Sequence, residues 1–186
     1  MSDSSSKIPQ KDGSVIWITG LSGAGKTTLA EKISIDLRSS GWSVILLDGD
    51  VLREALGIEK LHDKEDRLSI AKKYSKICQI LASQGFVVVI ATISLFKEIH
   101  SWNRQNLPRY IEVFLKVPLS ELRRRDPKGI YEKFQSGKVK NVSGLDLPVD
   151  EPLEADWIEV FDPLKPQSSN NIELISYIKE KLENEN

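Results

Sequence analysis

The chain of 186 residues carries 27 acidic and 26 basic residues, which leaves a net charge of −1. A chain of this length can bury the core of one α/β domain, and its balanced charge argues against a protein that coats nucleic acid. The apolar runs are too short to span a bilayer, so we expect no membrane partner, and the single cysteine, Cys78, excludes an internal disulfide.

The first residues with a clear signature predict a strand, a glycine-rich turn and a helix. The polar segment 1–13 has no signal-peptide core, so we expect a disordered lead-in to a cytoplasmic protein. The apolar run 15–19 predicts a buried strand, and 27–38 predicts a helix because its apolar residues recur on one face. Between them, residues 20–27 read G-x-x-x-x-G-K-T, the pattern of a P-loop.

The P-loop predicts a binding site for the phosphates of ATP. Its glycines allow a tight turn whose N–H groups point at phosphate oxygens, and the following helix N-terminus adds positive charge. Lys26 is expected to bridge the terminal phosphates, and the Thr27 hydroxyl to bind Mg²⁺. The flanking strand and helix argue against a chance match. The predicted ATP-binding residues of this turn are Gly20, Ser22, Gly23, Ala24, Gly25, Lys26, Thr27 and Thr28.

Two carboxylates follow the second predicted strand, which covers residues 43–47. Asp48 and Asp50 lie on either side of a glycine at the strand's carboxyl end, the edge where open α/β sheets bind ligands. Because alternate side chains of a strand share a face, we expect both carboxylates to point towards the P-loop. One would serve an acceptor hydroxyl and the other Mg²⁺. An ordinary Asp-Gly turn is the alternative, and the P-loop makes it the weaker one.

The rest of the chain alternates between helical and strand patterns. A long helix over 65–84 includes Cys78 among its apolar positions, and the most apolar run, 86–91, predicts a central parallel strand. This alternation predicts a three-layer α/β fold with a mostly parallel sheet, in one domain over 14–186. The other predicted elements are a short helix over 51–57, a polar connection over 61–66 that contains His62, helices over 97–106, 119–125 and 172–182, and strands over 111–117 and 157–160.

Residues 126–152 differ from the rest because they are rich in Gly, Pro, Lys and Asp, with little apolar periodicity. A long segment of this kind in a compact domain predicts a lid or binding loop. Lys128 and Lys140 would close over phosphates and exclude water, although an ordinary basic loop fits equally well. Of the three arginines that precede the segment, Arg125 is the one expected to reach ATP; an exposed helix end is the alternative.

At this point the sequence resembles the adenylylsulfate kinases, from about residue 14 to residue 152. The resemblance rests on motifs that occur in the expected order, and RDPKG-[LI]-Y together with LDGD is far more specific than a P-loop alone. Here these motifs read GLSGAGKTT at 20–28, LDGD at 47–50, EDR at 65–67, TIS at 92–94, EVF and VPL at 112–119, RDPKGIY at 125–131, and SGLD at 143–146.

The resemblance implies a kinase that moves the γ-phosphoryl group of ATP to the ribose 3′-hydroxyl of a nucleotide with a second group on its 5′-phosphate. By position, Asp50 is the expected general base, with Lys26 and Asp48 in the catalytic set and Thr27 and Asp48 at Mg²⁺. Family members commonly form homodimers. The residues expected to hold the acceptor are Asp50, Arg53, His62, Arg67, Ile93, Ser94, Lys128, Lys140 and Val142.

Several positions depart from the family pattern. The family has an asparagine at the positions of Val51 and Ile70, and it clamps the acceptor adenine between two phenylalanines at the positions of His62 and Val142. Because base–aromatic stacking is worth about 1–3 kcal/mol per contact, their loss suggests a changed acceptor base. The pattern also resembles kinases of this family that act on cytidine diphosphoramidate and are associated with surface-polysaccharide modification.

Three interpretations follow from these departures. The first is an adenylylsulfate kinase whose clamp is rebuilt from other aromatic residues, such as Phe96 or Phe134. The second is a kinase with the same 3′-hydroxyl chemistry on a pyrimidine nucleotide. The third is a nucleotide-binding regulator without turnover, which the intact lysine and aspartates of the predicted site disfavour.

Overall fold

A computed structural model of the protein describes residues 13–58, 63–164 and 167–184. Its centre is a five-stranded sheet in the order β2-β3-β1-β4-β5, and every pairing in it is parallel. The expected α/β architecture with a mostly parallel sheet is therefore confirmed. The strands are β1 (Ser14–Gly20), β2 (Val44–Asp48), β3 (Val87–Ala91), β4 (Tyr110–Lys116) and β5 (Trp157–Val160).

Helices cover both faces of this sheet, because each central strand alternates its apolar side chains between two cores. Ile16 and Ile18 of β1 pack with one set of helices, and Val15 and Trp17 pack with the other. All four are fully buried. The described helices are α1 (Lys26–Ser39), α2 (Gly49–Ala55), α3 (Lys64–Ala82), α4 (Lys97–Asn106), α5 (Leu119–Arg125), α6 (Ile130–Gln135) and α7 (Gln167–Asn184).

The first core contains α1 and α7, and the second contains α3 and α4. Ile33 from α1 and Ile178 from α7 are buried against one face, and Tyr74 from α3 and Ile99 from α4 against the other. This gives the three layers that the alternation of elements predicts. Among the residues that the structure describes, no helix is both long and apolar enough to cross a lipid bilayer.

The structure differs from the sequence-based boundaries at several helix ends. Helix α3 begins at Lys64, within the predicted polar connection, because the Asp63 carboxylate accepts the Asp66 N–H at 2.9 Å and caps the helix. Helix α7 begins at Gln167, five residues before the predicted start. Gly13, assigned to the lead-in, is buried, and its N–H donates to the Ala82 carbonyl at 2.7 Å. The packed domain therefore includes Gly13.

The predicted lid segment contains a short helix, α6, that its weak apolar pattern did not reveal. The Asp126 carboxylate accepts the backbone N–H groups of Ile130, Tyr131 and Glu132, at 2.8, 3.2 and 3.0 Å, and so fixes the first turn. These bonds lower the pKa of Asp126 even though burial opposes its ionisation. A single side chain thus supplies the helix start that apolar periodicity leaves out.

The far end of the lid segment is tied to a buried polar network on α4 and β4. The Glu112 carboxylate is almost completely buried, and its Oε1 lies 2.6 Å from His100 Nδ1. Arg104 donates to the Asp156 carboxylate at 2.7 Å, and the same carboxylate accepts the Glu112 N–H at 2.8 Å. The ring nitrogen His100 Nε2 lies 3.0 Å from the Asp150 carbonyl oxygen. The far end of the lid is therefore attached to α4.

Candidate active site

The P-loop forms a tight turn at the carboxyl end of β1. Gly20 has φ 149°, and a Cβ atom there would lie 2.8 Å from the Leu115 carbonyl oxygen, so only glycine fits this approach to β4. Gly23 and Gly25 also have positive φ, 80° and 99°. The turn therefore has the backbone shape from which N–H groups can point at bound phosphates.

Lys26 is the first residue of α1 and folds back over this turn. Its Nζ donates to the Leu21 carbonyl at 2.9 Å. Burial, and next the charge of Lys128, lower the pKa of Lys26 to about 8, although Asp50 and Asp48 act in the opposite direction. A desolvated ammonium gains more from a phosphate than an exposed one does, because water screens it less. This position suits a lysine that neutralises phosphate charge.

Thr27 and Asp48 supply oxygen atoms that fit a hard cation. Thr27 Oγ1 donates to Asp48 Oδ2 at 2.8 Å, which places a hydroxyl and a carboxylate together beside the P-loop. Mg²⁺ favours such oxygen ligands and keeps several waters or substrate phosphates. The described residues contain no cluster of three or more acidic, His or Cys side chains that could hold a metal. The protein would therefore hold Mg²⁺ by these two residues, together with ATP phosphates and water.

Asp50 lies at the start of α2, not on the strand, so the expected strand alternation of the two aspartates is wrong. The Asp48 carboxylate instead accepts the Asp50 N–H at 2.8 Å and turns the chain into the helix. The Asp50 carboxylate contacts Lys128 of the lid and pairs with Arg53 at 2.8 Å. Burial opposes its ionisation, but Lys128 and then Arg53 outweigh this effect and lower the pKa of Asp50. The carboxylate is therefore ionised and half-exposed.

The lid packs directly on the P-loop. The Tyr131 hydroxyl of α6 donates to the Ser22 carbonyl at 2.9 Å. A Cβ atom on Gly144 would come within 2.8 Å of the Leu21 side chain, so the far part of the lid also touches the turn. Burial raises the pKa of Tyr131 to about 12, which keeps its hydroxyl a donor. Lid and P-loop therefore form one continuous site.

Arg125 lies at the joint between α5 and the lid. Its Nη1 donates to the Gly23 carbonyl at 3.4 Å, its Nε donates to Glu121 at 2.7 Å, and its guanidinium lies 4.9 Å from the centre of the Phe161 ring. The sequence pattern did not single out Phe161, because one aromatic residue after a short strand carries no local signal.

An open cleft, with about 650 Å³ of empty space that includes the solvent at its mouth, lies between α1 and α7 and reaches Phe161. A cleft with an aromatic wall beside the P-loop is a candidate place for a planar base. The cleft is lined by Thr28, Lys32, Val117, Phe161 and Asn171, among others.

The predicted acceptor residues lie on two sides of Asp50. Arg67 of α3 donates to the Asn141 carbonyl at 2.7 Å and so joins α3 to the lid. The Val142 N–H donates to the Asp146 carboxylate at 2.7 Å, and Val142 is only 5% exposed. Lys140 is exposed on the same part of the lid. His62 lies outside the described residues.

The segment after β3 contributes the other acceptor positions. Ser94 is buried with φ 30°, an uncommon value for a residue that is not glycine, and its hydroxyl lies 2.8 Å from that of Thr92. The Ile93 carbonyl accepts the Thr19 hydroxyl. Held this way, the turn meets the carboxyl end of the sheet next to α2. The structure thus brings this turn, Asp50 and the P-loop to one edge, as the sequence predicts.

Of the two alternative aromatic residues, Phe96 is not available to replace the family clamp. Phe96 is 4% exposed and belongs to the core under α3 and α4. Phe134 is half-buried on α6, the lid helix. An adenine could therefore not stack on Phe96 without unpacking the core.

Comparison with known proteins identifies the family of the chain. Residues 12–159 match the family model of adenylylsulphate kinase. The chain is 38% identical over 161 residues to the cytidine diphosphoramidate kinase of Campylobacter jejuni, which covers 87% of this chain and 93% of that protein. It is 39% identical over 151 residues to the adenylyl-sulfate kinase of Pseudomonas aeruginosa, with 80% and 77% covered.

A solved structure shows the same fold. The APS kinase CysC of Mycobacterium tuberculosis, in complex with AMPPNP and APS, superposes with a TM-score of 0.82 and 31% identity over 90% of this chain and 98% of that one. Proteins of this kind are phosphotransferases that use ATP and Mg²⁺. With a family match over most of its length and relatives of this identity, the chain belongs to the adenylylsulphate kinase family.

Proposed function

We propose that the protein transfers the γ-phosphoryl group of ATP to the ribose 3′-hydroxyl of a nucleotide whose 5′-phosphate carries a second group. The observation that carries this proposal is the position of Asp50. Its ionised carboxylate faces the lid lysine Lys128 and lies close enough to Lys26 to act on the pKa of that ammonium. A proton acceptor and a phosphate-binding cation therefore share one site.

In the proposed reaction, the acceptor hydroxyl gives its proton to the Asp50 carboxylate as its oxygen bonds to the γ-phosphorus. The bond from that phosphorus to the β–γ bridging oxygen breaks, and ADP leaves with the electron pair. Lys26 and the P-loop N–H groups stabilise the charge on the transferring and leaving oxygens. Mg²⁺ held at Thr27 and Asp48 would supply further neutralisation of the phosphates.

Two arginines, Arg53 and Arg67, are the proposed binding residues for the substituted 5′-phosphate of the acceptor. Arg53 and Arg67 lie on α2 and α3, on the Asp50 side of the P-loop, and each offers a guanidinium that matches phosphate or sulfate oxygens. The Arg67 Nε is buried without a hydrogen-bond partner among the described residues, so its guanidinium has donor capacity to spare. This supports a role for Arg67 at the substituted 5′-phosphate.

The acceptor base has two candidates, adenine and cytosine. Val142 at one clamp position has no aromatic face, and Phe96 is committed to the core. These observations favour a cytidine compound such as the 5′-diphosphoramidate, and the relative from Campylobacter jejuni carries that name. The adenylyl-sulfate kinases of similar identity keep adenylylsulfate as the other candidate.

The test is acceptor-dependent ADP release with Mg-ATP, comparing adenylylsulfate with cytidine 5′-diphosphoramidate at equal concentrations. We expect transfer to at least one of them, with the larger kcat/KM for the cytidine compound, because neither clamp position holds the phenylalanine that the family stacks on adenine. Preference for adenylylsulfate would show that the adenine site is rebuilt from other residues. ATP binding without transfer to either acceptor would contradict the proposed function.

ATP binding should depend on pH through Lys26, whose pKa burial and then Lys128 lower to about 8. Below that pH the free protein already carries the charged ammonium. Above it, binding must first add a proton, so the Kd for a non-hydrolysable ATP analogue should rise by up to about tenfold per pH unit. Calorimetry in buffers of different ionisation enthalpy should detect the proton uptake.

The control for this pH dependence is Lys26→Arg, which keeps a cation that does not lose its proton in this range. Its Kd should change little between pH 7 and pH 9, the interval that brackets the pKa of about 8. Equal slopes in the wild type and Lys26→Arg would assign the pH dependence to another group.

A further inference from the structure

The buried hydroxyl of Tyr74 is bonded to the backbone of the turn that carries Asp50. Tyr74 lies in the middle of α3, is 4% exposed, and donates to the Gly49 carbonyl at 2.7 Å. Gly49 is the residue immediately before Asp50. No motif marks Tyr74, because this contact joins positions 25 residues apart in the chain.

Two other contacts fix the same turn. Asp48 Oδ1 accepts the Asp50 N–H at 2.8 Å. A Cβ atom on Gly49 would lie 3.0 Å from Thr92 Oγ1, so the main chain at Gly49 packs tightly against the carboxyl end of β3. Asp48 orders the N–H side of the turn, and Tyr74 is the side chain that orders its carbonyl side.

The Tyr74 hydroxyl also lies within electrostatic reach of the site. Burial raises its pKa to about 12, and the charges of Arg53, Asp50 and Asp48 act on that pKa as well. The hydroxyl therefore stays protonated and donates throughout the neutral range. The aromatic ring of Tyr74 packs in the core under α3, and its hydroxyl contacts the turn.

We propose that Tyr74 is a positioning residue for phosphoryl transfer, which holds the Gly49–Asp50 peptide so that the Asp50 carboxylate stays directed at the acceptor hydroxyl. This inference rests on the proposed function and adds a residue on α3 to it. Catalysis is sensitive to such placement, since small errors in the position of a reacting group cost up to about a hundredfold in rate.

Tyr74→Phe removes the hydroxyl and keeps the ring. We expect kcat for acceptor phosphorylation to fall by about tenfold to a hundredfold, because the Gly49 carbonyl loses its donor and the turn can relax. The KM for ATP should stay within about twofold, since the P-loop is untouched. Steady-state kinetics with the better of the two acceptors measures this separation of kcat from KM.

Tyr110→Phe is the matched control. Tyr110 is also buried, and its hydroxyl donates to Glu112 at 3.0 Å, but it lies at the opposite end of the sheet from the P-loop. Tyr110→Phe also loses the bond at 3.4 Å that the Tyr110 hydroxyl accepts from Asn103, so its melting temperature should fall at least as much as that of Tyr74→Phe. Only Tyr74→Phe should lose kcat; equal kcat in both variants would overturn the inference.

A double-mutant cycle with Asp50→Asn separates positioning from general loosening. If Tyr74 acts through Asp50, adding Tyr74→Phe to Asp50→Asn should change the single-turnover rate by less than about twofold. A full additional loss in that background would overturn the inference. Gly49→Ala disturbs the same turn from the Thr92 side and should also lower kcat; unchanged kcat would contradict the role given to the turn.

The outcomes for the two proposals can be told apart. Wild-type protein that transfers phosphate to no acceptor would overturn the proposed function and this inference together. Wild-type protein and Tyr74→Phe that turn over equally fast would overturn the inference alone.

Discussion

Asp50→Asn should lower kcat by about a hundredfold to ten-thousandfold, the range typical of general acid–base catalysis, while ATP still binds. Asparagine has the shape of aspartate and keeps an oxygen for Arg53 and Lys128, but it cannot take a proton from the acceptor. Quenched-flow measurement of acceptor phosphorylation with saturating Mg-ATP gives the rate. The assays should be run well below pH 8. The negative charge of Asp50 raises the pKa of Lys26, so the substitution would lower that pKa further.

The matched control for this substitution is Asp36→Asn. Asp36 lies on α1 and contacts Lys179 of α7, so it also loses a carboxylate–lysine contact, but away from the P-loop. We expect its kcat to equal that of the wild type. If Asp50→Asn retained wild-type turnover, Asp50 would not be the proton acceptor.

Lys26→Ala is expected to have the second largest effect. The ammonium of Lys26 lies inside the P-loop turn, where it donates a hydrogen bond to the Leu21 carbonyl. Removing a preorganised cation that faces developing charge costs on the order of a hundredfold to a thousandfold in kcat. The KM for ATP should also rise, and both effects should be the same with either acceptor.

An exposed lysine provides the control for Lys26→Ala. Lys76 lies on the outer face of α3, where its Nζ lies 4.6 Å from the centre of the Trp102 ring. Lys76→Ala also removes one positive charge, and its kinetics should match those of the wild type. An ATP dependence that Lys26→Ala leaves unchanged would remove the P-loop from the proposed mechanism.

The features that the sequence predicts well are those with a local signature. The strand–turn–helix around Lys26 and the central position of the most apolar strand follow from periodicity and glycine spacing, and the structure confirms the fold they predict. The P-loop and LDGD motifs lead to the kinase family, which the comparisons confirm. The roles of the individual site residues stay predictions.

The features that the sequence does not predict depend on contacts between distant elements. Tyr74 looks like one more apolar position of α3, yet its hydroxyl reaches the backbone of α2. Phe161 follows an edge strand without any pattern, yet its ring stacks against the guanidinium of Arg125. Helix α6 depends on one carboxylate, that of Asp126. The contacts of Tyr74 and Phe161 form only after the sheet has assembled, whereas the Asp126 contact is local but leaves no apolar pattern in the sequence.

The parallel sheet has a consequence for how the protein is made. Strand β1 pairs with β3 and β4, and Gly20 at the start of the P-loop is in register with Leu115. On a ribosome that adds about 5–20 residues per second, β1 therefore waits roughly 5–20 s for this partner. Until β3 emerges, the apolar residues of β1 have no strand to pair with, and pairings this distant in sequence form slowly. ATP cannot assist the early steps of folding, because its binding turn closes only when β4 has emerged.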